Sequence, residues 1–100
     1  MKITVYQMQD RHDFKFMGFD YIVKQQDGNT LMDHSIYKEV YSGEVNATNL
    51  NEVYSLLNFN HPKDFTGHSL SVSDIVRTPS GLFFVDSFGF KQIEFAKQKA

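Results

Sequence analysis

The chain has no cysteine, no tryptophan and only two prolines among its 100 residues. Without cysteine there is no disulfide bond, thiol nucleophile or thiolate metal site, and this composition suits a reducing cytosol. The sequence also lacks any apolar run near the length of a membrane span, and its opening residues MKITVYQMQD lack the apolar segment of a secretion signal. We therefore expect a soluble cytoplasmic protein that does not bind membranes.

A strong charge of either sign is also missing. The chain has 12 acidic and 10 basic residues and a net charge of −2, so it lacks the positive field that drives binding to nucleic-acid phosphates. The acidic residues are scattered, which also argues against a nucleic-acid mimic. A contact through Lys91, Lys97 and Lys99 would rest on too few charges. We expect no strong nucleic-acid binding.

Aromatic residues are abundant instead, with ten Phe and five Tyr in a chain that is 41% hydrophobic. This apolar content is enough to offset the conformational entropy lost on folding, so the chain should fold alone. Its length fits one domain. We expect the rings to supply much of the buried area and a few to remain available for binding.

Periodicity in the first half predicts two strands separated by a helix. Apolar and polar residues alternate over residues 2–7, which is typical of a half-buried strand. Apolar residues at helical spacing predict a short amphipathic helix over residues 18–26. Residues 37–42 alternate again and are rich in aromatic and β-branched side chains, which predicts a second strand.

A second helix is predicted over residues 49–58. Its apolar residues follow one helical face, and either Thr48 or Asn49 can act as the N-cap residue. Glu52 can complete a capping box with that residue. The helix must end before Pro62, because the residue preceding a proline is restricted to extended geometry.

The last third predicts a hairpin and a closing strand. Residues 69–78 and 82–88 have the composition of strands, and a turn at Pro79 to Gly81 joins them. Residues 91–95 extend the sheet. The element order predicts an α+β fold, a single small domain in which an antiparallel sheet of about five short strands carries two helices on one face.

Two segments in this last third, NFNHPKDFTGHSLSVSDIV (Asn58 to Val76) and VDSFGF (Val85 to Phe90), closely resemble the signature of the YodL-like domain family of bacterial proteins. The first half resembles the family more weakly, most clearly at VYSGEV (Val40 to Val45). The resemblance implies a YodL-like domain over residues 1–96 and a frayed tail at 97–100. It also implies a setting on conjugative or other mobile elements. It implies no catalytic residue, cofactor or metal.

The first of these segments contains a group of turn-forming side chains. Ser71, Ser73 and Asp74 can accept backbone hydrogen bonds at a corner that leads into a strand. His68 stands just before them. We interpret the group as a structural corner, because Asp and Ser serve turns far more often than catalysis.

The second segment contains an Asx-type turn. Asp86 and Ser87 can close it, and Gly89 supplies an unusual backbone angle. On this interpretation Phe88 and Phe90 flank the turn as packing anchors.

Two functional hypotheses from different classes follow. The preferred one is a non-enzymatic accessory module that binds another protein through an open sheet edge or through exposed aromatic rings. The candidate rings lie in loops or turns and are Phe59, Phe65, Phe88 and Phe90. The alternative is a small-molecule or hydrolytic site where His68, Asp74 and Asp86 meet. A pocket lined by these three residues would favour the alternative, and a packed corner would favour the module.

Overall fold

The structure, a computed structural model, describes residues 1–96 and contains a five-stranded antiparallel sheet with two α-helices. The strands lie in the order β2-β1-β3-β4-β5, and a short 3₁₀ turn, His34–Ile36, precedes β2. The elements are β1 Lys2–Met8, α1 Phe19–Gln25, β2 Tyr37–Glu44, α2 Leu50–Phe59, β3 Ile75–Thr78, β4 Gly81–Val85 and β5 Phe90–Ile93. The predicted α+β class and the five strands are confirmed. The predicted tail at 97–100 lies outside the described residues.

β1 is an interior strand of the sheet, because it pairs with β2 on one side and with β3 on the other. Val5 lies opposite both Tyr41 and Val76. The sequence predicted a half-buried strand, but Val5 to Met8 are all buried. The prediction was wrong because both faces of β1 are covered. A strand with one exposed face would have buried and exposed residues in alternation, whereas these buried residues are consecutive.

The two helices cover opposite faces of the sheet. On one face, α2 packs Val53 and Leu57 into a cluster with Ile3 and Val5. On the other face, α1 contributes Ile22 to a separate cluster. That second cluster also contains Tyr6, Met8, Ile75 and Phe84. The prediction of both helices on one face was wrong, because neighbouring apolar residues along β1, β3 and β4 point to opposite sides and each face needs its own cover.

The predicted strand over residues 69–78 is shorter in the structure. Only Ile75–Thr78 pair in the sheet, while Asp74 N donates to Ser71 O at 3.1 Å and closes a turn before the strand. The hairpin turn is confirmed, since Thr78 pairs with Gly81. The following strand ends at Val85 rather than at residue 88.

Two segments outside the strands bond to the sheet backbone near its edges. Just after β5, Met32 forms a parallel bridge with Phe95, in which Met32 N donates to Glu94 O at 3.0 Å. At β2, Thr66 N donates to Val40 O at 3.2 Å. One carbonyl of β2 and backbone groups just after β5 are therefore already bonded within the chain.

The predicted N-cap of α2 forms, although Glu52 reaches back to the residue before the N-cap rather than to the N-cap N–H of a capping box. Asn49 is the N-cap residue, and its side chain accepts from Glu52 N at 2.9 Å. The Glu52 carboxylate in turn accepts from Thr48 N at 3.1 Å.

We expect Asn49→Ala to lower the free energy of unfolding by about 1 kcal/mol, because Glu52 N loses its acceptor. Urea unfolding measures the loss. Asn51→Ala, in the same helical turn, is the control and should be neutral or slightly stabilising; equal effects of the two substitutions would contradict the capping role.

Candidate functional site

A buried glutamine joins the end of β1 to the loop that leads into β3. Gln7 is 0% exposed, and its Nε2 donates to His68 O at 2.8 Å and to Asp74 Oδ2 at 3.0 Å. Its Oε1 accepts from His68 N at 3.1 Å. Both ends of the amide are thus bonded to the 68–74 segment, which fixes this segment against the sheet.

Among the carboxyls of residues 1–96, Asp74 has the largest pKa shift. It is 1% exposed, and its Oδ2 also accepts from Ser71 N at 2.8 Å. Burial raises the pKa of Asp74 to about 7, although hydrogen bonds from Ser71 and Gln7 and the charge of Lys15 act in the opposite direction. Within residues 1–96 no basic group forms an ion pair with this carboxyl. The low dielectric around it therefore dominates.

Ser73 holds the corner in a conformation that is unusual for a residue with a side chain. Its φ is +84°, and Phe16, which contacts it, has a φ of +69°. Ser73 Oγ accepts from Phe16 N at 2.9 Å, and Ser73 O accepts from the Tyr37 hydroxyl at 2.7 Å. Ser73 N donates to Val85 O at 2.9 Å. Bonds to three other segments keep this residue in its strained backbone region.

His68 has one unsatisfied nitrogen. Its Nδ1 lies 2.7 Å from Ser69 O and 3.3 Å from Gln7 Nε2, and the ring tautomer decides whether Nδ1 donates to the carbonyl or accepts from the amide. The Nε2 atom of His68 is buried and has no hydrogen-bond partner among the described residues. The Phe16 ring lies beside the imidazole, with 5.4 Å between ring centroids.

Asp86 belongs to a second network, at the turn between β4 and β5. Its Oδ1 accepts from Ser87 N at 2.8 Å and from Phe19 N, the first residue of α1, at 3.2 Å. Asp86 N donates to Gly89 O at 3.0 Å, and Gly89 has a φ of +76°. The positive φ of Gly89 agrees with its prediction, but the Asp86 side chain bonds to the next residue rather than two residues on, as an Asx turn requires. Asp86 additionally serves α1, whose own N-cap residue, Gly18, has no side chain to do so.

The sequence-predicted site residues therefore separate into two groups. His68, Ser71, Ser73 and Asp74 surround Gln7, whereas Asp86, Ser87 and Gly89 form the next turn. Surface depressions of about 210 and 370 Å³ lie on the two sides of that turn, and neither is lined by His68 or Asp74. The corner around Asp74 is packed and hydrogen-bonded.

Several residues of this corner were not among the predicted ones. Phe16 and Tyr37 reach it from distant parts of the chain, and no local pattern indicates this. The burial of Gln7 could have been predicted, because Gln7 follows Ile3 and Val5 at the two-residue spacing of a buried strand face. A polar amide at such a position needs buried partners.

The four candidate phenylalanines have different environments. Phe88 is 97% exposed and Phe59 is 84% exposed. Phe90 is half-buried and packs against the α2-side cluster. Phe65 is 7% exposed, so its prediction as a surface ring was wrong: residues 62–65 turn back on themselves and place the ring beside Tyr41. The prediction that Phe88 anchors packing was also wrong.

Aromatic rings from the two helices and from the turn itself lie around Asp86 to Gly89. Tyr21 of α1 and Phe88 line the depression on one side, and Tyr54 of α2 lines the one on the other side. Tyr21 and Tyr54 are 48% and 39% exposed. We call Tyr21, Tyr54 and Phe88 together the aromatic turn surface.

A bilayer-spanning helix is not found in residues 1–96, where the longest helix has ten residues. In comparisons with known proteins, the family profile described as YodL-like domain matches residues 2–95. No curated protein and no solved structure matches the chain.

The raised pKa of Asp74 predicts a pH-dependent stability. Below pH 3.8 the carboxyl is protonated in both states; between pH 3.8 and about 7 it ionises only in the unfolded chain, so the folded state loses stability as pH rises. Asp74→Asn keeps a neutral acceptor and should remove this loss, which amounts to about 4 kcal/mol at 1.4 kcal/mol per pKa unit. Urea unfolding at pH 4, 6 and 8 measures it. The exposed Asp64→Asn is the control, and a wild-type to D74N difference that does not vary with pH would contradict the prediction.

Gly67 allows the close approach of the loop to Gln7. A Cβ atom on Gly67 would lie 2.8 Å from Gln7 Cδ, and closer still to Gln7 Oε1. We therefore expect Gly67→Ala to displace the amide and to cost about 1–3 kcal/mol through unsatisfied buried groups. Thermal unfolding measures the cost. Gly28→Ala places its Cβ in open space but at a φ of +87°, so its cost reports backbone strain without a clash, and the comparison separates these two causes. A changed chemical shift of the His68 backbone amide in NMR spectra of G67A would show that its hydrogen bond to Gln7 Oε1 is broken.

Proposed function

Since the chain belongs to the YodL-like domain family, we propose that it is a non-enzymatic protein-interaction module whose contact surface is the aromatic turn surface. The observation that carries this proposal is the exposure of Phe88, which is 97% accessible in a turn fixed by hydrogen bonds. The fold draws no packing energy from this ring. Its burial in a partner would release roughly 1.5–3 kcal/mol of hydration free energy.

The rigidity of the turn supports the same function. Asp86 bonds to Ser87, Gly89 and the start of α1, so the turn is held at both of its ends and to a helix. A ring presented from a fixed backbone loses little conformational entropy when it binds. Phe59 is nearly as exposed but stands on the last turn of α2, without such a frame.

The flanking tyrosines extend the surface in the way that protein interfaces require. Tyr and Phe are enriched at the buried centres of interfaces, where an apolar ring is surrounded by polar groups. Around Phe88 the polar rim consists of Asp20, Ser87 and Lys91. We infer that Phe88 inserts into an apolar pocket of the partner and that the tyrosines close around it.

The alternative, a small-molecule or hydrolytic site at His68, Asp74 and Asp86, has one observation in its favour. A buried carboxyl with a pKa near 7 beside a histidine with an unsatisfied Nε2 is the kind of perturbed pair that marks functional sites. A substrate would have to open the packed corner to reach Asp74, which is 1% exposed. This requirement makes the interaction module the stronger proposal.

Site-specific photo-crosslinking in the native host tests the proposal. A photoreactive phenylalanine analogue replaces Phe88 in one version of the protein and Phe59 in the other. We expect a discrete partner at position 88, identified by mass spectrometry, and none at position 59. With the purified partner, Phe88→Ala should weaken binding by about 2 kcal/mol, or roughly 30-fold, while stability changes by less than about 0.5 kcal/mol.

Phe59→Ala is the matched control, because it removes a ring that is nearly as exposed and should leave the affinity unchanged. Sedimentation of wild type and F88A distinguishes a second copy of this chain from a different protein. Unchanged binding by F88A would refute the proposal. Loss of a ligand or an activity in D74N or His68→Gln, with F88A unaffected, would establish the alternative.

A further inference from the structure

A cationic depression lies at the end of the sheet opposite the aromatic turn surface. Thr4 of β1 lies directly opposite Ser42 of β2 and Arg77 of β3, so these three side chains share one face. Lys2, two residues before Thr4 on the same strand, points to that face as well. The depression has a volume of about 370 Å³ and is lined by Lys2, Ile3, Thr4, Ser42, Arg77, Thr78 and Pro79.

The polar side chains that line the depression are all able to donate hydrogen bonds. The lining contains two cationic side chains and three hydroxyl groups, and it contains no carboxylate. Thr4 Oγ1 and Ser42 Oγ lie 3.2 Å apart, so one hydroxyl donates to the other and the accepting group keeps its own hydrogen for a ligand.

Among residues 1–96 neither cation has a carboxylate partner. The ion pairs within residues 1–96 involve neither Lys2 nor Arg77. Glu44 is the cross-strand neighbour of Lys2, but its carboxylate lies 3.6 Å from the N-terminal ammonium. Arg77 donates from Nε to the Tyr6 hydroxyl at 3.5 Å, which leaves both terminal guanidinium nitrogens free to bind.

We propose that this depression, defined by Lys2, Thr4, Ser42 and Arg77, binds the phosphate group of a small phosphate monoester. Arginine donates to phosphate through a bidentate pair of N–H groups, and lysine adds a point charge. The hydroxyls supply neutral donors to the remaining phosphate oxygens. With two cations in a chain of net charge −2, the site suits one phosphate group rather than a nucleic-acid backbone.

Titration of the ¹⁵N-labelled protein, followed by NMR at constant ionic strength, tests the proposal. Inorganic phosphate, O-phosphoserine and adenosine 5′-monophosphate are the probes, with sodium chloride as the reference salt. We expect saturable shifts at the amides of Lys2 to Thr4, Ser42 and Arg77, and no such shifts with chloride. The monoester that binds more tightly than inorganic phosphate identifies the source of the group.

The double variant Lys2→Gln with Arg77→Gln should weaken binding by at least about tenfold, because it removes the charge-assisted donors. Lys24→Gln with Lys63→Gln is the matched control, since both lysines are exposed and the change in net charge is the same. Thr4→Val with Ser42→Ala should weaken binding less and leave the charge intact. Shifts that do not saturate with any of the three probes, or equal losses in the two charge variants, would overturn the proposal.

Discussion

The hydrogen bonds of the Gln7 amide are the constraint on which the second half of the fold depends. They join residues 61 and 67 positions apart, because the amide binds both His68 and Asp74. Closing loops of this size costs conformational entropy that the contacts must offset. The amide is buried on β1, an interior strand of the sheet, so each bond that it lost would leave an unpaired group in a medium of low dielectric.

The consequences of this clamp extend along the chain. It positions Ser73, which bonds to Val85 and so aligns the end of β4. The next residue, Asp86, then meets the start of α1. A series of hydrogen bonds thus leads from the Gln7 amide through residues 73 and 85 to the turn that carries Phe88. The aromatic turn surface does not contact Gln7, but the turn that carries Phe88 is connected to Gln7 through these hydrogen bonds.

Local chemistry predicted the parts of this molecule that depend on neighbours in sequence. The N-cap of α2, the turn at Pro79 to Gly81 and the tight turn at Asp86 all involve groups within four residues of one another. The exposure of the rings was harder to predict. Phe65 and Phe88 both lie in loops, and only the path of the loop decides that one is buried and the other exposed. The assignment of the helices to opposite faces failed for a related reason, since a run such as Phe84 and Val85 does not reveal which helix covers which side.

The contacts made by Met32 and Thr66 at the sheet edges bear on how this protein meets others. Unpaired backbone at an edge strand is a template for an extra strand from another chain, and it is also a route to aggregation. Here Met32 already occupies backbone groups after β5, and Thr66 occupies Val40 O on β2. These bonds leave fewer free backbone groups for an added strand, which favours recognition through side chains. They also leave fewer groups through which two molecules of this protein could join their sheets.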